Sequence, residues 1–254
     1  NVVKLGEMTG EDVSCWSGYL AAHRGRRAYF KSFGATATDH GLASARTADL
    51  IPAEAGALYQ KALTGACTPQ EADLFRGQML TEMARMSLDD GLVLQIHAGS
   101  ARNHSDDVMA RFGRDKGYDI PTQTDYVAAL KPLLNAVGGE AGLTIIVFTL
   151  DETAFSRELA PLAGVYPALK LGPPWWFHDS AEGMRRFRET VTETAGFYNT
   201  VRFNDDTRAF CSIPARHDVA RRVDCAYLAT LVATGRLAED EAAQVAYDLT
   251  YRLA

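Results

Sequence analysis

Residues 143–150, Leu-Thr-Ile-Ile-Val-Phe-Thr-Leu, are the clearest of a series of short, nearly continuous apolar runs, each followed by helical sequence. The others are Gly34-Ala-Thr-Ala-Thr38, Leu92-Val-Leu-Gln-Ile96 and Ala168-Leu-Lys-Leu171, with Thr200-Val-Arg-Phe203 as a fifth candidate. Strands that alternate with helices and carry few polar positions predict an α/β fold with a parallel sheet, covered on both faces. Two architectures fit, an open doubly wound sheet or part of a closed barrel. No G-x-G-x-x-G or Walker loop follows any run, which lowers the nucleotide-binding option.

The helices between the runs carry boundary signals. Thr68-Pro69-Gln70-Glu71 is a capping box with proline at the first helical position. Behind it Phe75, Met79, Met83 and Met86 repeat at helical spacing, the pattern of core packing. Helices predicted over 124–137 and 216–234 stop at Gly138-Gly139 and Gly235. The segment 43–90 reads as two helices with no strand between them, a helical insertion in a strict alternation. One domain of 254 residues holds these elements, with no visible repeat or linker.

The bulk composition excludes some classes of function. With 26 Lys and Arg against 32 Asp and Glu, the net charge of −6 argues against a nucleic-acid partner. An anionic small molecule needs only a local basic cluster and stays open. The four cysteines, Cys15, Cys67, Cys211 and Cys225, are scattered without a C-x-x-C pair, so reduced thiols in a cytoplasmic setting are expected. No run reaches the roughly 20 apolar residues of a membrane helix. No signal peptide is visible, and the first residue is not Met, so a processed, trimmed or fragmentary chain is expected.

Polar, chemically capable residues follow the apolar runs: Thr38-Asp39-His40, His97, Asp151-Glu152, Trp175-Trp176-Phe177-His178 and Asp206-Thr207-Arg208. In a (β/α)8 barrel the active site is assembled at that end of the strands. His97 can bind a metal or hydrogen-bond a hydroxyl, against the plain alternative of a histidine satisfied by backbone carbonyls. Arg102, five residues on, can hold an anion. Asp206 can bind a metal or act as general base, and Arg208 can clamp a carboxylate bidentately. Spacing i, i+2 turns these two to one side of an extended chain, with Asp205 on the other side and structural. Trp175 and Trp176 supply an apolar platform and an N–H donor suited to a sugar. His40 is a further candidate for substrate binding. His23 is expected to be solvated, His217 structural, and His178 with Asp179 are possible helix caps.

These residues sit in stretches that resemble one family. Arg26-Arg27-Ala-Tyr-Phe-Lys with Gly34-Ala-Thr-Ala-Thr-Asp-His40-Gly, then Gln95-Ile-His97 with Arg102-Asn103, are similar to uronate isomerases. So are Leu171-Gly-Pro-Pro-Trp-Trp-Phe-His178-Asp-Ser with Gly183-Met184, and Asn204-Asp-Asp-Thr-Arg-Ala-Phe210 running to Ala215-Arg-His-Asp218. The resemblance implies a (β/α)8 barrel of the amidohydrolase superfamily that interconverts D-glucuronate with D-fructuronate, or D-galacturonate with D-tagaturonate. It also implies a His-x-His metal pair on a first strand, and this sequence contains no His-x-His. The expectation is therefore a C-terminal half carrying strands four to eight, with Asp206 the metal ligand that remains.

One divalent metal, zinc by preference, is the expected cofactor. The expected partner is a small uronate sugar, with no nucleic acid and no membrane, and a homo-oligomer is possible. Isomerisation through an enediol needs a base near C2 and charge stabilisation for the developing oxyanion. Asp206 and Arg208 are assigned to catalysis, and His97, Arg102, Trp175, Trp176 and His40 to substrate binding. The isolated chain is expected to be inactive. A metal-dependent hydrolase on the same barrel and an inactive assembly module are the competing readings.

Overall fold

The computed structural model describes residues 1–173, 178–205 and 209–253. Helices α1 (Val2–Thr9) and α2 (Trp16–Ser32) precede strand β1 (Ala37–Leu42), and α3 (Pro52–Leu63) and α4 (Pro69–Asp90) precede β2 (Val93–Ala98). A loop then carries β3 (Ser100–Ala101), α5 (Asp106–Phe112) and β4 (Ile120–Pro121). Helix α6 (Tyr126–Val137), β5 (Ile145–Thr149), α7 (Ala160–Val165) and β6 (Leu169–Leu171) restore the alternation. Helices α8 (Ala181–Ala195), α9 (Ile213–Ala233) and α10 (Glu239–Tyr247) follow.

Strands β1, β2, β5 and β6 form one parallel sheet in that order. Spatial order follows chain order without the reversal of a doubly wound sheet. Segment 200–203 joins only through one parallel bridge between Leu171 and Thr200, so the fifth expected strand shrinks to a single contact. The short β3 and β4 pair antiparallel as a separate ribbon.

Coverage departs from expectation. Leu94, Ile96, Ile145, Val147, Leu169 and Leu171 alternate onto one face and are at most 1% exposed. They pack with Leu80, Ala84 and Met86 of α4, Leu130 and Leu134 of α6, Ala163 of α7 and Phe187 of α8 into the main core. The opposite face carries Asp39, Gln95, His97, Ile146, Phe148 and Lys170, and no helix of the main core lies over it among the described residues. Near-continuous apolar runs suggested burial on both faces. The interruptions at Asp39, Gln95, His97 and Lys170 recur every second residue and across neighbouring strands, which marks a second face of different chemistry.

Helix α4 begins on the expected capping box: the Glu71 N–H donates to Thr68 Oγ1 at 3.2 Å and the Thr68 N–H to Glu71 Oε2 at 2.9 Å. Of the two helices in 43–90, α4 belongs to the layer on the sheet. Helix α3 instead buries Tyr59 against Trp16, Tyr19 and Phe75, outside the main core. Arg27 fixes α2 to the end of α4, donating to both carboxylate oxygens of Asp90 (2.6 and 2.9 Å) and to Ser87 Oγ at 2.9 Å. A fork-to-fork pair of this kind holds direction as well as distance. Among the described residues, no helix is long and apolar enough to cross a membrane.

Candidate functional site

The open face of the sheet brings Asp39, His97 and Arg102 together. His97 is the fifth residue of β2 and pairs in register with Gly41, two residues beyond Asp39 and on the same face. Across that step Asp39 Oδ1 lies 2.5 Å from His97 Nδ1. The imidazole is buried, while the Asp39 side chain is 62% exposed at the mouth of the site. One flat side of the imidazole stacks on Phe148, the residue beside it on β5, with centroids 4.2 Å apart and planes 16° from parallel. Phe148 lies flat because Gly172 is behind it, where a Cβ atom would come within 2.3 Å of the ring.

Burial acts to raise the Asp39 pKa, but the hydrogen bond to His97 and the nearby His97 and His40 charges outweigh it. The carboxyl is thereby held below its ordinary range. A carboxylate within hydrogen-bond reach of an imidazole is a common device for fixing the ring's orientation.

Arg102 reaches the same place from the loop after β2. The chain turns at Gly99 (φ 84°), runs through β3, and passes Asn103 in the left-handed region (φ 55°). Asp119, 4% exposed, holds this turn: Oδ1 accepts the Asn103 N–H at 2.8 Å and Oδ2 accepts Arg102 Nη1 at 3.3 Å. The other guanidinium nitrogen, Nη2, lies 3.9 Å from the Cβ direction of Gly41, above the face that carries Asp39. A half-exposed guanidinium, braced on one nitrogen and facing the strand ends, can receive an anionic group.

His40 does not join them. Strand β1 runs past Thr38 to Leu42, so His40 is inside the strand and has the parity opposite to Asp39. Its Nε2 lies 3.2 Å from Thr38 Oγ1, and its ring lines a cleft of about 460 Å³ beside Tyr19, His23, Phe75 and Met79. His40, expected among the substrate-binding residues, thus faces the helix side of the sheet and not the side that carries His97. The reading of His23 as solvated is also corrected. Its ring meets Tyr19 edge-on at 4.6 Å, and its Nε2 is buried without a hydrogen-bond partner.

Among the described candidates, His178, Asp179, Asp205 and His217 take structural positions. His178 Nε2 lies 3.3 Å from the Leu150 carbonyl oxygen, and the cap of α8 is Ser180, whose Oγ accepts the Gly183 N–H at 3.0 Å. Asp179 pairs with Arg216, and Asp205 accepts from the same guanidinium through Oδ1 at 2.8 Å and its carbonyl at 2.6 Å. Asp205 is therefore the structural member of its segment. His217 meets Phe203 edge-on at 5.1 Å. Trp175, Trp176, Asp206 and Arg208 lie outside the described residues. Among the described residues, no three His, Cys, Asp or Glu side chains gather as a metal-binding group.

Two residues of this face had no role assigned from the sequence: Asp39, named there only within Thr38-Asp39-His40, and Lys170. Lys170 stands on the open face of β6, its Nζ donating to Asn199 Oδ1 at 2.8 Å, and burial lowers its pKa. Both could have been found from strand parity, since each shares the face of His97 once neighbouring strands are in register.

Comparison with known proteins places this geometry. A family model described as glucuronate isomerase matches residues 1–254. A uronate isomerase of Rhizobium meliloti is 72% identical over all 254 residues, which make up 54% of that protein. Among solved structures, a glucuronate isomerase from Caulobacter crescentus matches with a TM-score of 0.95 at 63% identity, covering 99% of this chain and 53% of that one. A uronate isomerase from Thermotoga maritima matches with a TM-score of 0.90 at 29% identity, covering 99% and 55%. The chain thus spans about half the length of the relatives it matches. With the family model matched from end to end, the chain belongs to the glucuronate isomerase family.

Proposed function

We propose that this chain supplies the sugar-binding end of a uronate isomerase, interconverting D-glucuronate with D-fructuronate and D-galacturonate with D-tagaturonate. The carrying observation is the end-to-end family match, and the grouping of Asp39, His97 and Arg102 on one face of a parallel sheet supports it. A sheet whose strand order follows the chain, with the helices of its core on one side only among the described residues, is what an arc of a closed barrel would present. The proposal places it in a (β/α)8 barrel of amidohydrolase type, as strands four to eight of the whole protein.

In this reading Arg102 and Arg208 hold the uronate carboxylate and fix the sugar for proton transfer. His97 hydrogen-bonds a sugar hydroxyl, and Trp175 and Trp176 pack on the apolar face of the ring. Asp206 carries a proton between C2 and C1 as the enediol forms and collapses. The same residue is the proposed ligand of one divalent metal, zinc by preference, which would stabilise the developing oxyanion when bound. A single carboxylate does not by itself make a metal site. The setting proposed is cytoplasmic, and the whole protein could assemble as a homo-oligomer.

Assay of a protein of the relatives' full length that contains this sequence tests the proposal. It should convert D-glucuronate to D-fructuronate, whereas the 254 residues alone should not. Failure of the long protein on both glucuronate and galacturonate would overturn the reading.

A further inference from the structure

We infer that Asp39 is a positioning residue that fixes the tautomer of His97, so that Nδ1 carries the proton and Nε2 the lone pair. The role given to that lone pair rests on the proposed uronate site. The tautomer itself rests on geometry alone.

Two contacts orient the ring, and a third residue holds one of them in place. A carboxylate oxygen 2.5 Å from Nδ1 can only accept, so a neutral imidazole must place its hydrogen on Nδ1. Phe148 lies against one flat side of the ring and opposes tilting about the bond to Asp39. Gly172 leaves Phe148 nowhere to retreat to and nothing to be displaced by, because even a methyl group there would overlap the aromatic ring. The strand register makes the first contact possible: Gly41 opposite His97 has no side chain to come between the imidazole and Asp39.

Free histidine prefers the opposite tautomer, with its hydrogen on Nε2. Against a sugar, that form would present a donor where the fixed form presents an acceptor. An acceptor at Nε2 takes a hydroxyl proton in a hydrogen bond and can hold a transferred proton. Asp39 therefore determines what His97 can do without touching the sugar itself.

Long-range proton–nitrogen correlation spectra of the nitrogen-15-labelled 254-residue chain, recorded where His97 is neutral, read the tautomer directly. In the wild type, Nδ1 should show a pyrrole-type and Nε2 a pyridine-type shift. Asp39→Asn and Asp39→Ala should move the population toward the Nε2-protonated form, whereas Phe148→Leu, which keeps the carboxylate, should not. A wild-type ring protonated on Nε2, or an unchanged tautomer in both folded Asp39 variants, would overturn the inference. The wild-type spectrum decides the first point even if a variant fails to fold. Adding D-glucuronate to the long protein separates the two proposals: a Nδ1-protonated ring whose signals ignore the sugar leaves the tautomer standing and removes His97 from the uronate site.

Discussion

The two faces of the parallel sheet are built from the same four strands and obey different rules. One face presents Leu94, Ile96, Val147 and Leu171 to a layer of helices and excludes water. The other places Asp39, Gln95, His97, Phe148 and Lys170 one residue away along the same backbones. The first face is apolar throughout, and each of these side chains is surrounded. Chemistry is possible on the second, where charged groups keep contact with solvent and with one another. A one-residue slip of β2 would exchange Ile96 for His97 and forfeit both.

The sharpest way to break this comparison is to cut neighbouring residues of β2. Ile96→Ala should cost about 2–5 kcal/mol of unfolding free energy, because the helices over it cannot collapse into the cavity. Gln95→Ala, on the open face, should stay within about 0.5 kcal/mol of wild type. Urea unfolding of both variants measures the difference, and similar losses would show that the two faces are energetically alike.

The next effect concerns the chemistry assigned to the open end. Arg208→Lys in the long protein should lower kcat/KM for D-glucuronate about ten- to a hundredfold, since a bidentate charged hydrogen bond is worth about 1.5–3 kcal/mol and lysine supplies only a point charge. Steady-state kinetics check this, and near-normal values would remove Arg208 from the carboxylate clamp.

The smallest effect is linked to protons on the covered side. Burial lowers the pKa of His23, with Arg27 adding to it, and burial lowers that of His40 despite the charge of Asp39. A histidine whose folded pKa is depressed binds its proton more readily when unfolded. Its stabilising effect is therefore complete above about pH 6.5, the ordinary histidine value, and is lost as pH falls toward the folded value. Thermal unfolding midpoints should decline over that interval, and His23→Leu should flatten the decline. An equal slope in that variant would assign the acid sensitivity to other groups.

Much of this division was legible in the residues. The runs 92–96, 143–150 and 168–171 became β2, β5 and β6 with small shifts at their ends, because sustained apolar character survives any register. The weak first run was misplaced. Read as Gly34–Thr38 with Thr38-Asp39-His40 at its end, it stopped short, whereas the strand continues while Gly41 and Leu42 still face His97 and Ala98. That extension sends His40 to the helices and Asp39 to His97. Sequence periodicity in one strand cannot reveal such pairing, because it depends on a partner 58 positions away. The ion pair of Asp205 is nearer in sequence: Arg216, on α9, lies 11 residues on.

Gly172 has a consequence for how this site can vary over generations. Positions around a binding site ordinarily drift, with neighbours absorbing each change. Here the smallest side chain would meet an aromatic ring at 2.3 Å, and that ring already supports an imidazole on its other side. A replacement at 172 is therefore coupled to residues 148 and 97, on two further strands, and becomes tolerable only if the set changes in concert. The glycine offers no functional group of its own, yet it ties any side chain at 172 to the fate of the stacked pair.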